Sequence, residues 1–400
     1  MSQEPENQPL PPLPRHVLYA SSARVGGSGL DSVVFESLRG LNREGILAQA
    51  IAYGSRQGEI PSRLIRSLAT HPVRLLSFLE SQYYYGAKRQ YVDWVASREL
   101  ARGGYDFFHG WSGDCLQALR EARRQRVPSV VEIPTWHRNK GIVKPWMTAG
   151  EKRAANQPWR KRWKHHLLVS RQRVLEEYDL ADLILVLSDK AIETFRAAGI
   201  PDSRLFKIAR GVDVNRFTPA SGAPPPLFRA VFVGALIERK GVHRLLEAWH
   251  KLNLKNAELV LAGAVHEEIK PALQKYSGPS VRLAGFVPRP EMIYQEASVH
   301  LLPSSCEGSA KTTYEAAACG LAQIATRESG DVVVDGENGI VIPPDNVDAL
   351  AAAIERLYNN PGLVATMGAA GRRRMVAEFT WDHFRTRLMR AYAVARASAR

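Results

Sequence analysis

The stretch LLPSSCEGSAKTTYEAAACGLAQIA, residues 301–325, carries the strongest fold signal in the sequence. An apolar run leads into a loop of small residues, a helical segment beginning near Thr312, and a second apolar run at Ala322–Ala325. A strand, a helix and a further strand in this order predict a parallel βαβ unit. The same alternation begins at His16 and runs through most of the chain, with residues 60–103 predicted to be helical, so we expect an α/β protein built on parallel sheets.

The alternation is interrupted once, at the uncharged stretch TPASGAPPP. Its Pro, Gly and Ser content is typical of a flexible linker. Two α/β domains joined by such a linker predict a ligand cleft between them, at the carboxyl ends of the strands. The predicted ranges are a disordered tail 1–15, a first domain 16–217, the linker 218–226, a second domain 227–379 and a C-terminal helix 380–400 that packs back on the first domain.

Composition narrows the class of protein. The 400 residues are 45% hydrophobic and 24% charged, which suits large globular cores and excludes general disorder. Cys115, Cys306 and Cys319 form neither a disulfide framework nor a metal-ligand spacing, which fits a reducing cytoplasm. No apolar run approaches the ~18 residues of a membrane helix. The acidic, Pro-rich start does not have the pattern of a signal peptide.

The net charge of +14 is concentrated in residues 138–173, which hold eleven Lys and Arg and one acid, Glu151. Trp146, Trp159 and Trp163 lie among these cations. Cations interleaved with Trp suit an anionic membrane surface, nucleic acid or a diphosphate acceptor. A solvated helix face is the alternative.

Two acids flank the turn in the opening stretch. Glu307 precedes the turn and Glu315 lies within the helix that follows. The turn consists of the small residues Gly308, Ser309 and Ala310. Their backbone N–H groups and the helix N-terminus favour an anion, and Thr312 and Thr313 offer hydroxyl donors. This arrangement predicts a site for a sugar-diphosphate-nucleoside, although the pair of acids alone also fits a helix cap and a solvated side chain.

A second signal is FVGALIERKGVHRLLEAW, residues 232–249, in which Arg239 and Lys240 directly precede a helix. Cations there oppose the helix dipole, so a bound diphosphate would stabilise them. Extension of both side chains into water is the alternative. A third, weaker signal is the loop Gly26–Gly29, which lacks the full dinucleotide fingerprint. We expect this loop, through Gly27, to face the ligand from the first domain.

Together these segments resemble a family four glycosyltransferase of the two-domain GT-B fold. The Glu-seven-Glu motif of that family matches Glu307 and Glu315, and EAAACG follows it. ARGVDVNRF at 209–217 resembles the loop that ends the family's first domain. Its C-terminal signatures resemble VVVDGENGIVIPPDNVDALAAAIERL at 332–357 and FTWDHF at 379–384.

The resemblance implies a retaining, metal-independent transfer of a sugar from a nucleotide sugar, with no further cofactor. By position, Glu315 binds the ribose, Glu307 lies near the donor sugar, Lys240 neutralises the diphosphate, and Val287 and Pro288 lie against the base. The acceptor implied is a sugar or lipid-linked glycan bound by the first domain, in cell-surface glycan or glycolipid synthesis. Such enzymes work in the cytoplasm or at the inner membrane face, which favours membrane contact by the basic segment and no nucleic-acid partner.

The sequence also departs from the family pattern. Ala235 stands where relatives often have Arg, so we expect Arg239 to supply that charge. Lys311 ends a loop that usually reads Gly-Phe-Gly-Leu, and it can reach the phosphates or the sugar. His109 and His137 both remain candidates for a catalytic role on the acceptor side.

Three alternatives stay open at this point. A nucleotide-sugar epimerase would share the architecture without the C-terminal signatures. A nucleic-acid-binding protein would account for the basic segment alone. A catalytically idle scaffold would account for the departures from the family pattern.

Overall fold

The computed structural model describes residues 12–27, 29–139, 166–222 and 227–399. The chain divides into two compact units. Most of the basic segment 138–173, with its three Trp residues, lies outside the described residues. Unit 1 takes the described residues up to Val186, Ala191–Ile208 and the chain from Arg385, and unit 2 takes Leu187–Lys190 and Ala209–Phe384.

Unit 1 is built on parallel strands, as the apolar runs predict. The strands are β1 Val17–Ser21, β2 Leu47–Ala52, β3 Ile65–Ser67, β4 Phe107–Trp111, β5 Ser129–Glu132, β6 Leu183–Val186 and β7 Leu205–Lys207. The helices up to this point in the chain are α1 Leu30–Arg43, α2 Ser81–Ala101, α3 Leu116–Arg124, α4 Arg171–Leu180 and α5 Asp189–Arg196. The sheet order is β3-β2-β1-β4-β5-β6-β7, and every residue of β1 and β4 is buried. Burial on both faces explains why these strands read as continuous apolar runs.

One stretch of unit 1 differs from its predicted structure. Residues 60–103 read as helical in the sequence, but the helix begins only at Ser81. Two short 3-10 turns and the strand Ile65–Ser67 come first. Pro61 and Pro72 explain the difference, because proline lacks the backbone N–H that a helix interior needs and fits only at a helix start. Pro72 stands at such a start.

Unit 2 repeats the architecture. Its strands are β8 Phe228–Val233, β9 Ala257–Ala262, β10 Val281–Gly285, β11 Val299–Leu302, β12 Ala322–Thr326 and β13 Gly339–Ile342. The helices are α6 Val242–Leu252, α7 Lys270–Tyr276, α8 Pro290–Gln295, α9 Lys311–Ala318, α10 Val347–Tyr358, α11 Pro361–Glu378 and α12 Trp381–Ala397. All strand pairs are parallel, in the order β10-β9-β8-β11-β12-β13. Neighbouring residues of β8 point to opposite faces: Phe232 joins one buried apolar cluster and Val231 the other.

The division between the units differs from the predicted domain ranges at residues 209–217. Val212 and Phe217 are buried in the same apolar cluster as Tyr294 of unit 2. The Arg372 guanidinium donates hydrogen bonds to the carbonyl oxygens of Val214, at 2.9 Å, and Phe217, at 2.7 Å. This segment therefore belongs to the core of unit 2, while α12 begins in unit 2 and ends in unit 1.

A buried polar network lies within unit 1. His109, on β4, and Glu132, on β5, are both fully buried, with 3.4 Å between His109 Nε2 and a Glu132 carboxylate oxygen. The other ring nitrogen, Nδ1, lies 2.7 Å from the hydroxyl of Tyr392, on α12. The network ties the end of the chain to the centre of the seven-stranded sheet.

Within the described residues, no helix has both the length and the apolar content needed to cross a membrane.

The Tyr392 hydroxyl gives a first testable prediction. Tyr392→Phe leaves His109 Nδ1 without a partner in a fully buried position, so we expect the free energy of unfolding to fall by about 1–3 kcal/mol. Tyr105→Phe is the matched control in the same unit, since Glu99, its hydrogen-bond acceptor, keeps ion pairs with Arg66 and Arg102. Urea denaturation measures both, and equal losses in the two variants would contradict a structural role for the network.

Candidate functional site

The predicted donor residues of unit 2 follow strands β8 and β11. The sheet order reverses between these two neighbours, because β8 leads to β9 and β10 on one side while β11 leads to β12 and β13 on the other. Loops that leave neighbouring strands at such a point diverge and form a crevice at the carboxyl edge of the sheet. Arg239 and Lys240 lie on the first loop and Glu307 on the second.

The backbones of the two loops are joined directly. The Arg239 carbonyl oxygen accepts hydrogen bonds from the Ser305 backbone N–H at 2.9 Å and from the Ser305 hydroxyl at 3.2 Å. Gly241 has a φ of 72° and lies so close to Pro303 that an added Cβ would stand 2.1 Å from the Pro303 carbonyl oxygen. Only glycine fits both the backbone conformation and the space. These contacts bring the side chains of the two loops together.

Three charged side chains meet where the loops join. One carboxylate oxygen of Glu307 lies 3.0 Å from Arg239 Nη1 and 3.0 Å from Lys240 Nζ. The Lys240 and Glu307 side chains are only 14% and 15% exposed. The Arg239 guanidinium also donates to the Cys306 carbonyl oxygen. The anion that the two cations require is therefore supplied by Glu307, and one positive charge of the cluster remains uncompensated.

Glu315 occupies a separate, more deeply buried position in α9. It is 5% exposed. Its carboxylate lies 3.2 Å from Lys311 Nζ and accepts a hydrogen bond from the Tyr294 hydroxyl at 3.3 Å. Burial raises the pKa of Glu315, and the Lys311 ammonium and the Tyr294 hydroxyl partly offset that rise. Tyr294 was not identified from the sequence, and its position 21 residues before Glu315 gives no local signal.

The turn between the two acids offers fewer donors than the sequence suggests. The Ala310 backbone N–H donates to the Ser329 carbonyl oxygen at 2.9 Å, and the Thr313 hydroxyl donates to the Ala310 carbonyl oxygen at 2.7 Å. Both groups are therefore engaged, which corrects their expected role as donors to an anion. Ser309 uses its hydroxyl with that of Tyr314, at 2.8 Å.

Other groups of the turn remain available. The Thr312 hydroxyl is buried and has no hydrogen-bond partner among the described residues. The backbone N–H groups of Gly308 and Ser309 likewise have none in the described part of the chain. They precede α9, whose N-terminus favours a negative group. The turn can thus supply two amides and one hydroxyl to an anion.

The remaining predicted residues are spread over both units. Val287 is half-buried and Pro288 is exposed in the loop after β10, beside Phe286, which is 79% exposed and was not identified from the sequence. Gly27 lies in unit 1, between β1 and α1. Within the described residues, no group of three or more His, Cys, Asp or Glu side chains could hold a metal ion.

The two histidines proposed for the acceptor side are enclosed by protein. His109 is fully buried in the network with Glu132 and Tyr392, so it has no surface with which to contact a substrate. The structure does not support the expected catalytic role of His109. His137 is 6% exposed, and its ring packs against Tyr178 and Phe195.

Two curated relatives share part of the sequence. An alpha-maltose-1-phosphate synthase of Mycolicibacterium smegmatis is 29% identical over 250 residues, which are 54% of this chain and 63% of that protein. The capsular polysaccharide biosynthesis glycosyltransferase CapM of Staphylococcus aureus is 30% identical over 157 residues, 37% of this chain and 41% of that protein. The chain thus spans less than two thirds of the length of these relatives.

Solved structures share the fold at lower identity. A sucrose-phosphate synthase from Thermosynechococcus elongatus matches with a TM-score of 0.68 and 20% identity, covering 94% of this chain and 97% of that one. Anabaena HepE in complex with UDP matches with a TM-score of 0.63 and 16% identity, covering 93% of this chain and 98% of that one. These likenesses show the GT-B fold that the sequence predicts.

Two family models match consecutive parts of the chain. The model described as Glycosyltransferase Family 4 matches residues 27–216, within the part that holds the seven-stranded sheet. The model described as Glycosyl transferases group 1 matches residues 228–360, which include β8 to β13 and all the predicted donor residues of unit 2. The predicted family is confirmed: the chain belongs to the family four glycosyltransferases.

Proposed function

We propose that the protein is a retaining glycosyltransferase that moves a sugar from a nucleotide-sugar donor to an acceptor hydroxyl. The observation that carries this proposal is the meeting of Arg239, Lys240 and Glu307 at the carboxyl edge of the unit 2 sheet. A cluster with one uncompensated positive charge suits the diphosphate of such a donor. Glu315 suits the ribose, because a carboxylate accepts hydrogen bonds from two neighbouring hydroxyls.

The proposed chemistry places the cations at the leaving group. The bond between the sugar's anomeric carbon and the donor phosphate oxygen breaks, and that oxygen keeps the electron pair. The acceptor oxygen bonds to the same carbon on the same face, and its proton passes to the released diphosphate. Negative charge therefore grows on the phosphate oxygen, where Lys240 and Arg239 stabilise it without having to move into place. The turn amides of Gly308 and Ser309 supply further donors.

The donor and the acceptor are proposed only as classes. A UDP complex of HepE and a capsular polysaccharide transferase among the relatives support a nucleotide-sugar donor and a role in cell-surface glycan or glycolipid synthesis. We propose no further cofactor. The nucleic-acid and scaffold alternatives rest on the basic segment and on departures such as Ala235, and family membership favours the transferase over both.

Lys240 provides the sharpest test of the donor site. Lys240→Ala removes a positioned charge from the leaving group, so we expect turnover to fall by roughly 10²-fold or more, and Arg239→Ala should also lower it. Lys251→Ala is the control, because Lys251 lies on α6, the helix that follows Lys240 in the chain, and its side chain is 61% exposed. Among the described residues it pairs with Asp348 at the surface. Thermal-shift screening of UDP-, GDP- and ADP-sugars identifies the donor first. Wild-type turnover in both site variants would refute the phosphate clamp.

The two acids are expected to act differently on nucleotide binding. Glu315→Ala should weaken the binding of free nucleoside diphosphate. Glu307→Ala should spare or tighten it while lowering turnover, because Arg239 and Lys240 lose their internal carboxylate. Calorimetry separates the two, and equal losses of affinity would refute this division of roles.

We also expect the affinity for free nucleoside diphosphate, measured by calorimetry, to depend on pH. The ribose requires ionised Glu315, whose pKa burial raises against the opposing effects of Lys311, Tyr294 and Arg216. Affinity should therefore decline as pH falls through that raised pKa, at a higher pH than for an exposed carboxyl group. Glu315→Gln should remove this step from the profile.

We also propose that residues 138–173 hold the protein at an anionic inner membrane face. The support is the sequence, eleven cations with three Trp, and each cation near such a surface contributes about 1 kcal/mol. Replacing Arg160, Lys161, Arg162 and Lys164 with Gln should weaken sedimentation with anionic vesicles. The binding should also fall as salt rises, because exposed charges are screened. Binding that is indifferent to both changes would leave the segment as a solvated face.

A further inference from the structure

A polar cavity lies in unit 1. Its volume is about 730 Å³, and it opens at the carboxyl edge of the seven-stranded sheet. The floor is formed by residues that end or follow strands, including Ser22 after β1, Tyr53 after β2 and Trp111 at the end of β4. Helix α2 contributes a wall through Tyr84 and Lys88. The space is large enough for a monosaccharide with an attached charged group.

The lining of this cavity is strongly cationic. Two acids line it, Asp31 and Asp114. Asp114 accepts a hydrogen bond from the Ser22 backbone N–H at 2.7 Å, and Asp31 accepts one from the Arg24 backbone N–H at 3.1 Å. The acids thus hold the loop after β1 in place. The cations that line the cavity are Arg24, Arg56, Arg74, Lys88 and Arg89.

Most of these cations have no anionic partner. Arg89 is the exception, because its Nε lies 3.4 Å from Oδ1 of Asp114. In the described part of the chain, Arg24, Arg56 and Arg74 form no ion pair. Five cations against two acids leave three positive charges around one concave surface. Low-dielectric walls concentrate such a potential inside the cavity and draw in anionic ligands.

Lys88 shows how the site is built. Its ammonium lies 4.2 Å from the ring centre of Tyr53, 5.2 Å from that of Tyr85 and 5.7 Å from that of Tyr84. Three aromatic rings fix its position, and within the described residues it makes no hydrogen bond or ion pair. Burial lowers the pKa of Lys88, against the opposing charge of Asp31. A half-buried ammonium held in this way is available for an anion that enters the cavity.

We propose that this cavity binds the acceptor through a phosphate group, so that the sugar is transferred to a phosphorylated acceptor. Phosphate fits the lining better than a carboxylate, because a dianion with three terminal oxygens can engage several guanidinium groups and an ammonium at once. The inference rests on the proposed transferase function and narrows its acceptor class. The phosphate can belong to a soluble sugar phosphate or to the headgroup of a phospholipid.

The binding test uses inorganic phosphate and the full-length protein. We expect calorimetry to detect phosphate binding in the wild type and in Lys240→Ala, where the donor site is impaired. The double variant Lys88→Gln with Arg74→Gln should bind phosphate roughly 10- to 100-fold more weakly, since two charge-assisted contacts are lost. Arg102→Gln, an exposed cation of unit 1 outside the cavity, is the control and should match the wild type. Equal affinity in the wild type and the double variant would overturn the proposal.

Two further arms identify the source of the phosphate. Glucose 1-phosphate is compared with glucose in solution, and phosphatidylcholine vesicles are compared with and without phosphatidylinositol. Tighter binding of glucose 1-phosphate than of glucose supports a sugar phosphate acceptor. Tighter binding to the vesicles that contain phosphatidylinositol supports a lipid headgroup, provided that the double variant abolishes the difference. Preference for neither overturns the proposal.

Measuring nucleotide binding distinguishes a failure of the phosphorylated-acceptor proposal from a failure of the proposed transferase function on which it rests. The double variant should retain wild-type affinity for free nucleoside diphosphate, which also shows that it is folded. Nucleotide binding without phosphate binding in the cavity would refute the phosphorylated acceptor alone. Phosphate binding in the cavity without binding of any nucleotide or nucleotide sugar would refute the transferase function alone.

Discussion

The proposed donor site in unit 2 depends on one backbone carbonyl group. The Arg239 carbonyl oxygen receives both the backbone N–H and the hydroxyl of Ser305, and this joins the loop after β8 to the loop after β11. The absence of a side chain at Gly241 allows the Pro303 carbonyl to approach from the other side. With the loops held in this register, the side chains of residues 239 and 240 reach Glu307. Any side chain at position 241 would push the loops apart and separate the charges.

The electrostatics of that cluster explain why it suits a diphosphate. Two cations held against each other repel, and partial burial weakens the screening that water would provide. Glu307 relieves the repulsion only in part, because one carboxylate faces two positive charges. Removing one member of such a buried cluster is costly, since the others are left uncompensated. The protein therefore maintains one uncompensated positive charge in the cluster, which an anionic ligand can compensate.

Much of the fold could be predicted from the sequence because parallel strands are buried on both faces and read as apolar runs. The strand Ile65–Ser67 could not. It has three residues, lies at the edge of its sheet and is stabilised by pairing with β2, which is a tertiary contact. Likewise, the sequence identified His109 as a candidate residue but not its contact with Tyr392, which lies 283 residues later in the chain. Burial of a polar residue depends on distant partners that no local pattern contains.

For the candidate site, the sequence likewise identified individual residues but not the contacts between them. Glu307, Glu315 and Lys240 were identified by spacing and by resemblance. The ion pair between Lys240 and Glu307 was not, because it joins two loops that are distant in the sequence. The same limit applies to charge. The excess of positive charge in the sequence points to residues 138–173, where cations are consecutive or nearly so. The cations of the unit 1 cavity come from four separate parts of the chain, since only Lys88 and Arg89 are neighbours in the sequence, so a running sum of charge does not single them out.

Local geometry therefore decides which charges are available to a ligand. In unit 1, Asp31 and Asp114 accept backbone hydrogen bonds and hold a loop, so they compensate the surrounding guanidinium groups only in part. In unit 2, Glu307 is shared between two cations. In each unit the carboxyl edge of a parallel sheet retains positive charge because its acids are already engaged in building the site. Both edges are therefore electrostatically suited to an anionic ligand.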